Sequence, residues 1–145
     1  MVAGNPLKVE MEIGANASTD CLPGRLVIFD TVDFTVVAAS AKADNVVGFL
    51  GSASDKLEAT QYAAGDEVQV IMGECIAKLL LLASENVARG DPLVAANNGK
   101  VAKQAVGAMA GQGSVIGWAL ESSNVTVDAE ILVFYSKTAE PAAVS

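Results

Sequence analysis

Gly73-Glu74-Cys75-Ile76-Ala77-Lys78-Leu79-Leu80-Leu81-Leu82-Ala83-Ser84-Glu85-Asn86 is the segment on which the fold class turns. Leu, Ala and Lys are good helix formers, so propensity alone makes this the one segment that could be a helix. Its flanks and its apolar run argue for a strand instead. Gly73 and Asn86 bound it closely, and an unbroken run of apolar residues suits a strand buried on both faces. Read as a strand over residues 74–82, it joins a chain that is β throughout.

Outward from this segment, Pro and Gly punctuate the sequence at short intervals. Between them lie stretches rich in Val, Ile, Thr, Phe and Tyr, the vocabulary of strands. Further strands are expected at residues 8–13, 25–29, 34–38, 46–50, 67–72, 92–95, 100–103, 114–121 and 129–136. Asn97-Asn98-Gly99 marks a hairpin, because Asn and Gly accept the positive φ that tight turns require. Gly65-Asp66 and Gly90-Asp91 read as turns entering strands, and Gly107, Gly111 and Gly113 as a small-residue loop or crossing segment. The expected fold is an all-β, barrel- or sandwich-like domain over residues 23–136, preceded by an extended arm at 1–22 and followed by a frayed tail at 137–145.

The two halves repeat one order of motifs. Gly24-Arg25-Leu26-Val27, Val46-Val47-Gly48-Phe49 and Glu67-Val68-Gln69-Val70 run parallel to Gly90-Asp91-Pro92-Leu93-Val94, Val115-Ile116-Gly117-Trp118 and Glu130-Ile131-Leu132-Val133. Glycine spacings of 24 and 27 residues fit two copies of one small β unit.

Composition narrows the function. With 145 residues the chain reads as one domain able to bury a sizeable core. Its net charge of −8, from 9 basic and 17 acidic residues, argues against nucleic acid and anionic membranes as partners. The start, Met1-Val2-Ala3-Gly4-Asn5-Pro6, shows neither the basic nor the apolar region of a signal peptide, and no apolar run reaches the ~18 residues of a membrane helix. Synthesis in the cytoplasm is expected. Cys21 and Cys75 stand alone and without histidine cannot complete the usual zinc site, so reduced thiols are expected, with a Cys21–Cys75 disulfide as the alternative.

The absence of histidine also removes Ser-His-Asp and Cys-His catalysis. Glu10 with Glu12, and Asp30 with Asp33, could share a proton or a cation. They read more simply as the wet face of a strand and as turn residues bonded to local backbone. The glycines at 111, 113 and 117 miss the nucleotide-binding spacing, and no Gly-Lys-Ser/Thr occurs. Arg89-Gly90-Asp91, Asn16-Ala17-Ser18 and Asn124-Val125-Thr126 are short motifs better read as turns. No catalytic residue, metal site or cofactor is expected.

Residues 67–136, with "ENVARGDPLVAANNGKV", "VIGWALESS" and "EILVFYS", resemble the small β-rich capsid decoration, or cement, proteins of tailed phages. The resemblance implies a non-enzymatic structural protein on the capsid exterior of the virion, a homotrimer at three-fold or quasi-three-fold positions that clamps neighbouring copies of the major capsid protein. A low charge fraction with few aromatics suggests apolar surface covered by other copies, through Phe49, Leu79, Leu81, Trp118 and Phe134. The arm's strand, isolated by Pro6 and the polar run at 16–20, is expected to reach a neighbouring sheet edge and attach the protein to the capsid through Lys8, Val9, Met11 and Ile13. The alternative is a β-barrel module binding a glycan or small molecule, which needs a concave aromatic-lined site.

Overall fold

The computed structural model describes residues 2–4, 6–17, 21–40, 45–51, 61–104 and 115–136. Thirteen strands run through them: β1 Val2–Ala3, β2 Leu7–Ile13, β3 Leu26–Phe29, β4 Thr35–Ala38, β5 Gly48–Leu50, β6 Glu67–Met72, β7 Cys75–Leu81, β8 Asn86–Val87, β9 Pro92–Ala95, β10 Val101–Lys103, β11 Gly117–Ala119, β12 Ser123–Asn124 and β13 Ala129–Tyr135. No α-helix occurs among the described residues, and the segment that decides the fold class is strand β7. Its helix-favouring residues are overridden by pairing along its whole length with β13, from Tyr135 opposite Cys75 to Ala129 opposite Leu81. The expected tail at 137–145 and the small-residue segment at 105–114 lie outside the described residues.

The strands close into two five-stranded rings. Barrel 1 runs β2-β4-β3-β5-β6, and barrel 2 runs β7-β10-β9-β11-β13, closed by the β7–β13 pairing. Each ring has one parallel junction, β2 with β4 and β7 with β10, and antiparallel pairings elsewhere. The order and direction of strands are therefore identical, and the internal repeat read from the sequence is borne out.

The correspondence extends to single hydrogen bonds. Gly24 N–H donates to Leu50 O at 2.7 Å, and Gly90 N–H to Ala119 O at 2.8 Å; Val47 N–H donates to Val27 O at 2.8 Å, and Ile116 N–H to Leu93 O at 2.9 Å. Asp30 N–H donates to Thr35 O at 2.9 Å, as Ala96 N–H does to Lys100 O at 2.8 Å.

One glycine in each barrel explains why the motif recurs. A Cβ on Gly48 would stand 2.5 Å from Ile71 O, and one on Gly117 would collide with Phe134 O. At these places the partner strand's backbone crosses where a side chain would begin, so only glycine permits the pairing.

The segment expected to be a free arm belongs to the fold. β2 pairs with β6 over Leu7–Met72 through Glu12–Glu67 and with β4 at Glu12–Thr35 and Ile13–Val36. Met11 and Ile13 alternate inward into the core of barrel 1, while Glu10 and Glu12 face out. The boundary expected at residue 22 is corrected accordingly: Cys21 is buried in the same core. Pairing with β6, far away in sequence, satisfies the donors and acceptors that an isolated strand leaves open. The piece that does reach out is shorter, since β1 pairs antiparallel with β7 of barrel 2 at Val2–Ala77 and Ala3–Ile76.

Deleting residues 1–16 is expected to unfold barrel 1, seen as loss of the cooperative denaturation transition by circular dichroism. Gly117→Ala should destabilise far more than Gly65→Ala, whose Cβ would meet nothing within 4 Å and which should cost about 1 kcal/mol for its positive φ. Chemical denaturation of the two variants compares them directly.

Candidate assembly surface

Barrel 1 buries its inward residues, among them Val27, Val36, Leu50 and Val70, in a core of its own. The alternating neighbours Leu26, Phe49 and Ile71 point to the outside of that barrel and yet are buried, because they pack in one cluster with the interior of barrel 2. Phe49 meets Tyr135 edge to face, with ring centroids 5.1 Å apart and planes at 72°. Beside this contact Gly99 N–H donates to Ala39 O and Arg25 Nη1 donates to Asn98 O, both at 2.7 Å. Gly99 has φ +70°, and a Cβ there would lie 2.8 Å from Arg25 Cβ, so the Asn97–Gly99 3-10 turn fits against barrel 1 through a bare backbone. The outer wall of barrel 1 thus caps the open rim of barrel 2.

Three of the expected interface residues lie in this interior rather than at an external face. Phe49, Leu79 and Leu81 are all buried, and what covers Phe49 is the chain's own second barrel. Trp118 differs: it is 43% exposed and packs on half-buried Phe134, with centroids 4.8 Å apart. Of the expected attachment residues, Met11 and Ile13 are core, Val9 is half-buried and Lys8 is exposed. Ile13 is enclosed in barrel 1, whereas Met11, also buried, reaches the wall of a cavity beside β2. Cys21 and Cys75 sit in separate cores and are not joined; burial pushes the Cys75 thiol up.

Among the described residues, four of the exposed large apolar side chains gather on barrel 1, at the rim where β2, β4 and β5 begin and β3 and β6 end, while Trp118, Val125 and Val127 lie elsewhere. Leu7, Phe29, Val32 and Phe34 there are each more than 60% exposed. Phe34 holds φ +57°, a left-handed conformation that costs a side-chain-bearing residue about 1–2 kcal/mol. Between this hairpin and β2 lies a cavity of about 310 Å³ lined by Glu10, Met11, Glu12, Val32, Asp33, Phe34, Thr35 and Glu67. Glu12 and Glu67 stand directly opposite in the β2–β6 register, a like-charge pairing that works against the sheet. The sequence showed these carboxylates one strand at a time. Their convergence needs a partner strand that periodicity cannot reveal.

The remaining carboxylates hold the fold. Two hydrogen bonds from Asn16, the Nδ2 one at 2.8 Å, keep the Asp30 carboxyl below its ordinary range. The Ala88 N–H and then Lys103 do so for Asp91, and Lys100 at 2.8 Å, with the Ala83 N–H, for Asp128. Among the described residues no group of His, Cys, Asp and Glu could hold a metal ion. No helix there is long and apolar enough to cross a membrane. What the arrangement offers chemically is surface for packing, with an acidic groove beside an apolar rim.

The sequence profile of the XM1 gp53 minor capsid protein family matches residues 1–137. Among solved structures, the head fiber gp8.5 N base of bacteriophage phi29 aligns with a TM-score of 0.50 at 17% identity, over 97% of this chain and 100% of that one. At that identity the likeness speaks for the fold. No curated protein matches the chain.

Tyr135 Oη is buried and has no hydrogen-bond partner among the described residues, and burial first, then Cys75, pushes its pKa far above the usual phenol range. Tyr135→Phe keeps the ring contact and removes the unpaired group, so it is expected to stabilise the protein by about 1 kcal/mol, whereas Phe49→Ala should cost about 3–5 kcal/mol; thermal denaturation tests both. The lowered pKa values of Asp30, Asp91 and Asp128 give stability that is full above the unfolded carboxyl value and lost as pH falls through the folded values. Denaturation midpoints should therefore drop below about pH 4, less steeply in Asp128→Asn.

Proposed function

Because the chain belongs to the XM1 gp53 minor capsid protein family, it is a structural protein of a phage capsid, and we propose that it binds the outer surface of the shell and clamps neighbouring major capsid subunits there, as a trimer at three-fold or quasi-three-fold positions. The family match over nearly the whole chain carries the reading, and the surface supports it. In this role the protein acts without catalysis: complementary surfaces suffice, and three weak footprints on one trimer multiply affinity by about 10² to 10⁴ over a single footprint.

The groove formed by Glu10, Glu12, Asp33 and Glu67 supplies the attachment that the arm was expected to supply. A Lys- or Arg-bearing loop of the major capsid protein would pair with these carboxylates, and the exposed Val32 and Phe34 would cover its apolar stem. The Glu12–Glu67 juxtaposition is costly in the free protein and is relieved by a cationic partner. A glycan or small-molecule module fits the same place poorly, since Phe34 is the single aromatic side chain lining the groove among the described residues.

Co-sedimentation with empty shells tests the reading. Saturable binding to the shell exterior at a fixed ratio to the major capsid protein, by a species of three chains, is the expected result; no binding to intact shells would overturn it. Binding should weaken as salt rises. Glu67→Gln is expected to separate the two effects of the charge, raising stability by a few tenths of a kcal/mol while lowering shell affinity.

A further inference from the structure

The junction inside the chain joins two unlike surfaces, and the repeat supplies a second copy of each. One surface is the outer wall of barrel 1, where Leu26 stands opposite Phe49 and Phe49 opposite Ile71. Its counterpart on barrel 2, fixed by the same register, is Pro92 opposite Trp118 and Trp118 opposite Phe134. The other surface is the open rim of barrel 2, with Cys75 opposite Tyr135, Ala95 at the end of β9 and Gly99 in the turn. Its counterpart on barrel 1 is Leu7 opposite Met72, Phe29 at the end of β3 and Phe34 in the hairpin. Phe34 and Gly99 match in conformation as well as in place, at φ +57° and +70°.

Burial separates the two pairs of surfaces, with Met72 and Phe134 of the unused pair half-buried. The pair used inside the chain is covered: Phe49 is 2% exposed, Ala95 1% and Tyr135 1%. The pair that is not used lies open, with Trp118 43%, Phe29 61% and Leu7 62% exposed. Each open surface remains apolar although none of the described residues covers it.

We propose that the two open surfaces meet between copies of this chain, the Trp118–Phe134 wall of one copy capping the Leu7–Phe29–Met72 rim of the next. The contact rests on the self-assembly proposed above and specifies it. In the chain's own junction Phe49 packs on Tyr135, so between copies Trp118 packs on Met72, an aromatic ring against a polarizable thioether. The rim carries Phe29 and Phe34 where the other barrel has Ala95 and Gly99, so the contact repeats the placement of the first junction and not its atoms. Two different surfaces meeting head to tail form a heterologous interface, which closes into a ring when the rotation permits and otherwise continues as a filament. A closed trimer of this kind is a ring of six barrels in which junctions within and between chains alternate.

Two measurements test the contact. Sedimentation of the wild type and of Trp118→Glu and Leu7→Glu, both at exposed positions and checked for intact far-ultraviolet spectra, should show each variant assembling at least ten-fold more weakly. Trp118 is the only tryptophan, so its emission should shift to the blue as the wild type assembles. In a second experiment, Trp118→Cys and Met72→Cys variants are mixed under mild oxidation. The mixture should give a two-chain disulfide-linked product, the double variant a closed multi-chain product, and neither single variant a product alone. A wild type that stays monomeric at all concentrations, a Trp118→Glu protein that assembles like the wild type, or a Trp118→Cys protein that cross-links to itself as readily as to Met72→Cys would overturn the proposal. Shell binding reads the other question independently: a monomer that saturably binds shells refutes this contact and leaves shell attachment standing.

Discussion

Everything in this chain depends on how a five-stranded β ring closes its end. Such a ring is small, and its interior positions run out onto a rim where apolar side chains would face water. Barrel 2 resolves this by seating its rim against the wall of barrel 1, with Phe49 edge-on to Tyr135 and Gly99 pressed to the backbone at Ala39. That seat has a cost, the unpaired Tyr135 hydroxyl, which burial of the surrounding apolar surface outweighs. It also removes the independence of the two rings. The outer face of barrel 1 is core for the molecule, so neither ring presents a finished surface without the other.

Much of this was legible in the sequence, and what was not has a physical reason. Alternation, turns and the paired Gly-aromatic motifs located ten of the strands and the duplication, because these are local features of chain geometry. The isolated look of residues 8–13 was misleading for the same reason: Pro6 and the polar run at 16–20 are local, whereas the pairing of Val9 with Val70 is not. The short strands β1, β8 and β12 carry too few residues to show a period. Charges behaved similarly, since Glu12 read as an ordinary wet-face carboxylate until the register set Glu67 opposite it.

Phe49 and Trp118 make the limit plain. They follow a glycine in the same repeat position, and each stands opposite an apolar residue, Ile71 or Phe134, of the following strand. Sequence pattern treats them alike and suggested an interface for both. One is among the most buried side chains of the molecule and the other is open. The difference lies in the neighbour, because barrel 1 has barrel 2 against its wall and no third barrel stands against barrel 2 among the described residues.

Divergence between the two units points in the same direction. Had the duplication kept Ala95 and Gly99 at the corresponding places of barrel 1, its rim would be flat and able to receive another wall closely. It carries Phe29 and Phe34 instead, and beside them the Glu10 and Glu12 carboxylates, in whose place β7 has Lys78 and Leu80. A residue retained at φ +57° with its ring in water is strained and exposed at once, and fold stability alone favours neither. The rim of barrel 2 thus suits the junction within the chain, and the rim of barrel 1 departs from that pattern.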